Sequence, residues 1–238
     1  MEIKIIPEQD YTDTVFCYQP NFISKAEINK LKQWIDSMTD FKYSSNYLQT
    51  GYSRLQKWYQ VDQKYFCNQW KNKPSTWESF QYEPILYELQ TKIQQRVNEI
   101  IRNLYETNNL EIQIPKINSC LINKYRDGND YIKPHRDTEL SFGSEPTIIG
   151  LSIGCPRDIL FKRVKYEEIS KPLYKLDKLN QNLNFQQKLE SGSLFIMGGS
   201  SQRFFSHEIP KSSDINSIDS SEMESRCRYS LTFREFIS

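Results

Sequence analysis

Histidine is scarce in this sequence, with only His135 and His207 among 238 residues. The five cysteines are scattered and form no C-x-x-C pair, which argues against a disulfide framework and against a zinc ribbon. No apolar run approaches the roughly 20 residues that a membrane helix requires. The opening segment MEIKIIPEQD lacks the charged-then-apolar layout of a secretory signal. These absences predict an intracellular protein, cytoplasmic or nuclear, without membrane association.

Strong net charge is absent as well, because the formal charge is +1, so no global field attracts nucleic acid. Residues 51–75 are the local exception, with five Lys or Arg against a single Asp and with aromatic residues interleaved. Interleaved cations and aromatic rings are typical of surfaces that bind phosphates and bases. A solvated pair of strands with its aromatic residues turned inward explains the same pattern equally well.

Two helices and a run of strands account for most of the chain. FISKAEINKLKQWIDSM predicts a helix with a capping box formed by Ser24 and Glu27, and the segment that starts at Pro84 predicts a longer one. After Asn109 the hydrophobic period changes to two, which indicates strands without intervening helices. The strand segments are INSCLINKYR, TIIGLSIG, DILFKRV, SLFIMGG, RFFSHEIP and RYSLTFREF. The pattern predicts an α+β domain with an antiparallel sandwich or barrel.

The stretch YIKPHRDTEL contains the clearest chemical motif, a His-x-Asp formed by His135 and Asp137. On a strand, residues two apart point to the same face. A third ligand must come from elsewhere, and His207 is the only other imidazole. Two histidines and one carboxylate leave coordination positions open, as in non-haem iron oxygenases, whereas a structural zinc site adds a fourth ligand. By itself a His-x-Asp is a weak signal.

The last predicted strand, CRYSLTFREF, places Arg228, Thr232 and Arg234 on one face. A buried arginine needs an anionic partner, and a dicarboxylate could form a bidentate pair with Arg228. Asn123 and Tyr125 share a face of an earlier strand and could bind the same carboxylate. Alternatively, Arg234 is a surface residue, and Asn123 and Tyr125 are ordinary polar groups of the core.

The segment CLINKYRDGNDYIKPHRDTELSFGSEPTIIGLSIGCPRDILFKR, followed by SGSLFIMGG, HEIPK and RYSLTFR, resembles the AlkB family of Fe(II)/2-oxoglutarate dioxygenases, especially its eukaryotic-type DNA repair demethylases. The resemblance extends over about residues 15–236. It implies a double-stranded β-helix (jelly-roll) core at 117–238. Residues 1–116 would supply N-terminal helices and a nucleotide-recognition lid within the same catalytic domain.

The resemblance also implies residue roles and a reaction. His135, Asp137 and His207 would bind Fe(II), while 2-oxoglutarate would contact Asn123, Tyr125, Arg228, Thr232 and Arg234. The substrate residues would be Arg54, Tyr59, Tyr65, Phe66 and Glu139. With O2, the protein would demethylate N-alkylated bases such as 1-methyladenine and 3-methylcytosine in DNA or RNA, releasing formaldehyde, succinate and CO2. We expect a monomer that acts on alkylated nucleic acid.

Two alternatives remain open at the level of the sequence. One is a hydroxylase or demethylase of the same chemical class that acts on a protein or a small molecule. The other is a non-catalytic reader that only binds damaged nucleic acid. The basic and aromatic segment 51–75 argues against the first, and the complete His, Asp and Arg set argues against the second.

Overall fold

The computed structural model describes residues 1–43, 54–61, 78–165, 175–213 and 226–237. Its helices are Lys25–Asp36 (α1), Pro84–Asn108 (α2), Glu139–Phe142 (α3) and Ser201–Phe204 (α4), with a 3-10 turn at Gln181–Leu183. Ser24 caps α1 through the predicted capping box with Glu27, and Pro84 opens α2. Among the described residues, no helix has an apolar stretch long enough to cross a bilayer.

Fourteen strands in the described residues form two sheets. They are Glu2–Ile6 (β1), Thr14–Gln19 (β2), Lys42–Tyr43 (β3), Leu55–Gln60 (β4), Phe80–Gln81 (β5), Ser119–Tyr125 (β6), Ile132–His135 (β7), Ile148–Gly154 (β8), Arg157–Lys165 (β9), Lys175–Leu176 (β10), Phe185–Leu189 (β11), Leu194–Gly198 (β12), Phe205–Ile209 (β13) and Arg228–Arg234 (β14). The large sheet has the order β1-β2-β12-β8-β14-β6-β4-β3, and β5 pairs with β4. The small sheet has the order β10-β9-β13-β7, and β11 pairs with β9.

The outer face of the large sheet packs on α1 and α2. Alternate residues of β14, namely Tyr229, Leu231 and Phe233, join this core and are at most 1% exposed. The helices contribute Leu31, Ile35, Leu86, Leu89, Ile93, Val97, Ile100, Ile101 and Leu104. Each large apolar side chain buried here contributes about 1.5–3 kcal/mol relative to full exposure. This layer therefore anchors the strands whose other face carries the site.

The inner face of the large sheet is turned towards the small sheet. A second core forms there around Phe16, which contacts Phe161, Phe195 and Phe205 with ring centroids 4.6–6.2 Å apart. The remaining inner residues of β4, β6, β8 and β14 border an open cavity between the sheets. Two facing sheets with helices on one outer side form the predicted α+β jelly-roll, so the expected fold class is confirmed.

All six strand segments predicted after Asn109 are strands in the structure. Strands β1, β2, β10 and β11 were not predicted, and the single helical turns α3 and α4 interrupt a region that was predicted to contain no helices. Five of the six residues of β2 are buried, so its sequence TVFCYQ lacks the alternation that marks a half-exposed strand. Strands from both sides of residue 116 share the large sheet, since β2 pairs with β12 and β4 pairs with β6.

Candidate active site

His135, Asp137 and His207 come together at one place in the structure. His135 ends β7, His207 lies in the middle of β13, and the two are direct partners across this antiparallel pair. One ligand atom from each of the three side chains lies within 4.8 Å of the others. Asp137 is not on the strand as predicted, because β7 ends at His135 and the chain then turns towards α3. The turn, rather than strand alternation, brings the carboxylate to the histidines.

The protonation of these groups suits a divalent cation. Nδ1 of His135 lies 2.9 Å from the carbonyl oxygen of Lys133, so this nitrogen donates and Nε2 keeps its lone pair. Burial lowers the pKa of His135, and burial together with the neighbouring His135 lowers the pKa of His207 to about 3. Both imidazoles are therefore neutral at pH 7, as metal binding requires.

Asp137 supplies the negative charge of this group. Its burial raises the pKa of the carboxyl, but Arg234 together with His207 and His135 outweighs that effect, and the pKa lies below its ordinary value. Nε of Arg234 is 2.8 Å from Oδ2 of Asp137, and both side chains are buried. Two neutral imidazoles and an ionised carboxylate fit Fe(II) by donor type. Among the described residues, the anionic partner of Arg234 is Asp137.

A cavity of about 370 Å³ between the sheets extends from these three residues to Arg228. Arg228 is 1% exposed, and its Nη2 donates to Oγ of Ser152 at 3.0 Å. Burial lowers the pKa of Arg228 to about 10, so the group is still cationic at pH 7. Its Nε and Nη1 atoms have no hydrogen-bond partner among the described residues. A buried cation with two free donors fits a carboxylate.

The other residues predicted for 2-oxoglutarate, Asn123, Tyr125 and Thr232, also line this cavity. Oδ1 of Asn123 accepts hydrogen bonds from Nε of Arg54 at 2.8 Å and from Nε2 of Gln56 at 3.1 Å. Arg54, which was predicted to bind substrate, is therefore connected to a residue at the predicted cosubstrate position.

The other residues predicted to bind substrate do not line the cavity in the described part of the chain. Tyr59 is 1% exposed in the core on the helix side of β4, where its ring packs near Trp34 and Tyr82. Glu139 does not line the cavity, and its Oε1 accepts from Nε of Arg203 at 3.3 Å. Tyr65 and Phe66, with most of segment 51–75, lie outside the described residues.

Several lining residues were not predicted, notably Gln56, Trp58 and Ser152. Strand alternation could have identified them. Gln56 and Trp58 share the face of β4 opposite to Tyr59, and Ser152 is the partner of Ser230 on β14. The pairing of β4 with β6, however, is not visible in the sequence.

These three side chains could hold a metal ion, and comparison with known proteins shows which class of protein has this fold. The sequence profile of the 2OG-Fe(II) oxygenase superfamily matches residues 15–234. The chain therefore belongs to the 2OG-Fe(II) oxygenase superfamily, whose members use Fe(II), 2-oxoglutarate and O2.

Relatives in sequence confirm the AlkB-type branch of this superfamily. The DNA oxidative demethylase ALKBH2 of Arabidopsis thaliana is 36% identical over 104 residues, which is 40% of this chain and 33% of that protein. The alpha-ketoglutarate-dependent dioxygenase alkB homolog 3 of Mus musculus is 33% identical over 94 residues, 40% of this chain and 31% of that protein. The matched stretch thus spans about a third of each relative.

Solved structures agree on the fold. The structure of OsALKBH1 superposes with a TM-score of 0.61 at 17% identity, covering 92% of this chain and 97% of the other. A prolyl hydroxylase from Trichoplax adhaerens, solved with a peptide of hypoxia inducible factor, gives a TM-score of 0.52 at 12% identity, covering 93% and 83%. At these identities the likeness concerns the fold alone.

Proposed function

We propose that this protein is an Fe(II)/2-oxoglutarate-dependent dioxygenase that oxidatively demethylates N-alkylated bases, such as 1-methyladenine and 3-methylcytosine, in DNA or RNA. The observation that carries the proposal is one cavity with a His135, Asp137 and His207 cluster at one side and a buried Arg228 with free donors at the other. A metal and an anionic cosubstrate are the two ligands that such a cavity suits.

Each group in the cavity has a role in this proposal. His135, Asp137 and His207 would hold Fe(II), and Arg228 would bind a carboxylate of 2-oxoglutarate. Bound iron would supply the oxidising chemistry, in which one oxygen atom of O2 would enter the succinate formed from 2-oxoglutarate with loss of CO2, and the other would hydroxylate the N-methyl carbon. Asn123, Tyr125, Thr232 and Arg234 would complete the cosubstrate contacts. The hydroxylated methyl group then leaves the base as formaldehyde.

Apolar side chains line the cavity between these polar ends. Ile148, Phe195 and Met197 line it and are at most 5% exposed. Such a lining strengthens the ion pair of Asp137 with Arg234, because charges attract more strongly at low dielectric constant. It also limits side reactions of oxidising chemistry.

The nucleic-acid substrate is supported by sequence relatives and by the cavity wall. Two of the relatives are named a DNA oxidative demethylase and an alkB homolog. The ring of Trp58 and the cation of Arg54 both border the cavity, and a base can stack on an indole or a guanidinium. Segment 51–75 would add cations for phosphates. Tyr65, Phe66 and Glu139 belong to the same proposal as expected substrate contacts.

A demethylation assay tests this function directly. Purified protein with Fe(II), 2-oxoglutarate and ascorbate should release formaldehyde from single- and double-stranded DNA and RNA oligonucleotides that carry 1-methyladenine. The matched control is Asp137→Asn, which keeps the size of the side chain and removes the anionic ligand. It should abolish formaldehyde release.

Two results would contradict the proposal. If the protein binds iron yet turns over no alkylated oligonucleotide, while a peptide stimulates succinate formation, the protein belongs with the hydroxylases of proteins. If the wild-type protein and Asp137→Asn bind alkylated DNA equally well, and neither releases formaldehyde, the protein is a non-catalytic reader.

A further inference from the structure

Gln202 lies in α4, the single helical turn that precedes the strand carrying His207. The Oε1 atom of Gln202 accepts a hydrogen bond from the backbone N–H of Asp137 at 3.0 Å. Gln202 is only 3% exposed, and its Nε2 has only weak partners, Sδ of Met197 at 3.7 Å and Oγ of Ser201 at 3.5 Å. Its one short hydrogen bond among the described residues therefore goes to the residue that supplies the carboxylate.

Asp137 depends on such a contact because the sheet does not hold it. The last residue of β7 with a partner on β13 is His135, and Asp137 lies two residues beyond it. A backbone N–H that is partly shielded from water needs an acceptor, so Gln202 takes the place of a strand partner.

Arg203, the next residue after Gln202, contacts residues on either side of Asp137. The carbonyl oxygen of Arg203 accepts from Nη1 of Arg136 at 3.1 Å. The guanidinium of Arg203 lies 3.3 Å from Oε1 of Glu139 and 3.4 Å from Oε1 of Glu145. Four contacts thus connect this helical turn to residues 136–145.

We propose that Gln202 is a positioning residue for the metal centre, which fixes the backbone of Asp137 so that its carboxylate meets His135 and His207. Because α4 runs directly into β13, the same turn sets the position of His207 and of Asp137. The inference rests on the metal-binding part of the proposed function. It adds a residue that touches neither metal nor substrate but determines how well the three ligands converge.

The test is the affinity for Mn²⁺, measured from the signal of free Mn²⁺ in electron paramagnetic resonance titrations. Gln202→Met keeps the length of the side chain and removes the acceptor, and we expect it to weaken Mn²⁺ binding about 10- to 100-fold. Gln202→Glu keeps an acceptor at the same position and should bind Mn²⁺ within about threefold of wild type. Thermal denaturation without metal reports whether each variant folds.

Gln94→Met is the matched control. Oε1 of Gln94 also accepts a backbone N–H, that of Ile117 at 3.0 Å, but on the helix side of the large sheet. The control should leave Mn²⁺ affinity unchanged. If Gln202→Met does not fold, Gln202→Asn, whose shorter side chain withdraws the acceptor, replaces it with the same expected loss.

Three results would overturn the inference. They are wild-type affinity in Gln202→Met or its Asn replacement, an equal loss in Gln94→Met, and a tenfold loss in Gln202→Glu. Failure of the metal-binding part of the proposed function has a different signature, since the wild-type protein would then bind no Mn²⁺ at all.

Discussion

Nε of Arg234 lies 2.8 Å from Oδ2 of Asp137, and the two side chains are 9% and 8% exposed. Removal of one partner from a buried ion pair leaves an uncompensated charge, which costs about 3–5 kcal/mol. We therefore expect Arg234→Leu to lower the free energy of unfolding by that amount, measured by urea denaturation without metal.

Arg96→Leu is the control for this prediction. Arg96 forms an ion pair with Glu99 at 2.8 Å, but the side chains are 33% and 63% exposed. Solvent screens such a pair, so the loss should be below about 1 kcal/mol. Equal losses in the two variants would show that Arg234 is not paired with a buried charge.

The metal-free protein should lose stability as the pH falls from about 6.5 to 4. Burial first, and then His135, lowers the pKa of His207 to about 3, whereas an unfolded histidine titrates near about 6.5. Between these values the unfolded state binds more protons, so stability decreases with acidification, by up to about 1.4 kcal/mol per pH unit for each such histidine.

Urea midpoints at pH 7, 6, 5 and 4 measure this slope. His207→Asn removes one titrating group and should give a flatter profile than wild type. An identical slope in the two proteins would mean that His207 is not buried in its neutral form. Asp137, whose pKa is lowered, affects stability only below about pH 5, where the unfolded carboxyl begins to protonate, so it contributes only at the acid end of this range.

Arg228 should determine the affinity for the cosubstrate. Its Nε and Nη1 atoms have no partner among the described residues, and one of them together with the second N–H of Nη2 can form a bidentate pair, which lysine cannot form. We expect Arg228→Lys to raise KM for 2-oxoglutarate at least about 30-fold, equivalent to about 2 kcal/mol, in an assay of succinate formation. KM for the oligonucleotide should change little. The reverse pattern would assign Arg228 to substrate binding.

Arg54 should affect the cosubstrate as well as the substrate, because its Nε donates to Asn123. Arg54→Met should raise KM for 2-oxoglutarate several-fold. In an Asn123→Ala background the same change should have a smaller effect, since contacting residues are not additive. If Arg54→Met raises only KM for the oligonucleotide, in both backgrounds, Arg54 serves substrate binding alone.

Much of the fold was readable in the sequence where a strand has one apolar and one polar side. In β14, Arg228, Ser230, Thr232 and Arg234 face the cavity, while Tyr229, Leu231 and Phe233 face the helices. The alternation was visible because the two sides of the large sheet differ in polarity. Strand β2 was missed because both of its sides are buried.

The sequence by itself determined which chemical groups this protein can offer: two imidazoles, the His-x-Asp carboxylate and the arginines of its last strand. Only the tertiary structure decided their partners. Arg234 binds Asp137, Arg54 binds Asn123, Glu139 meets Arg203, and Tyr59 lies in the core. The three pairs of partners are 64 to 97 residues apart in the sequence. Arg54 reaches Asn123, for example, because β4 pairs with β6 and places Gln56 opposite Asn123. Sheet pairing sets such contacts over long sequence separations, so no local pattern contains them.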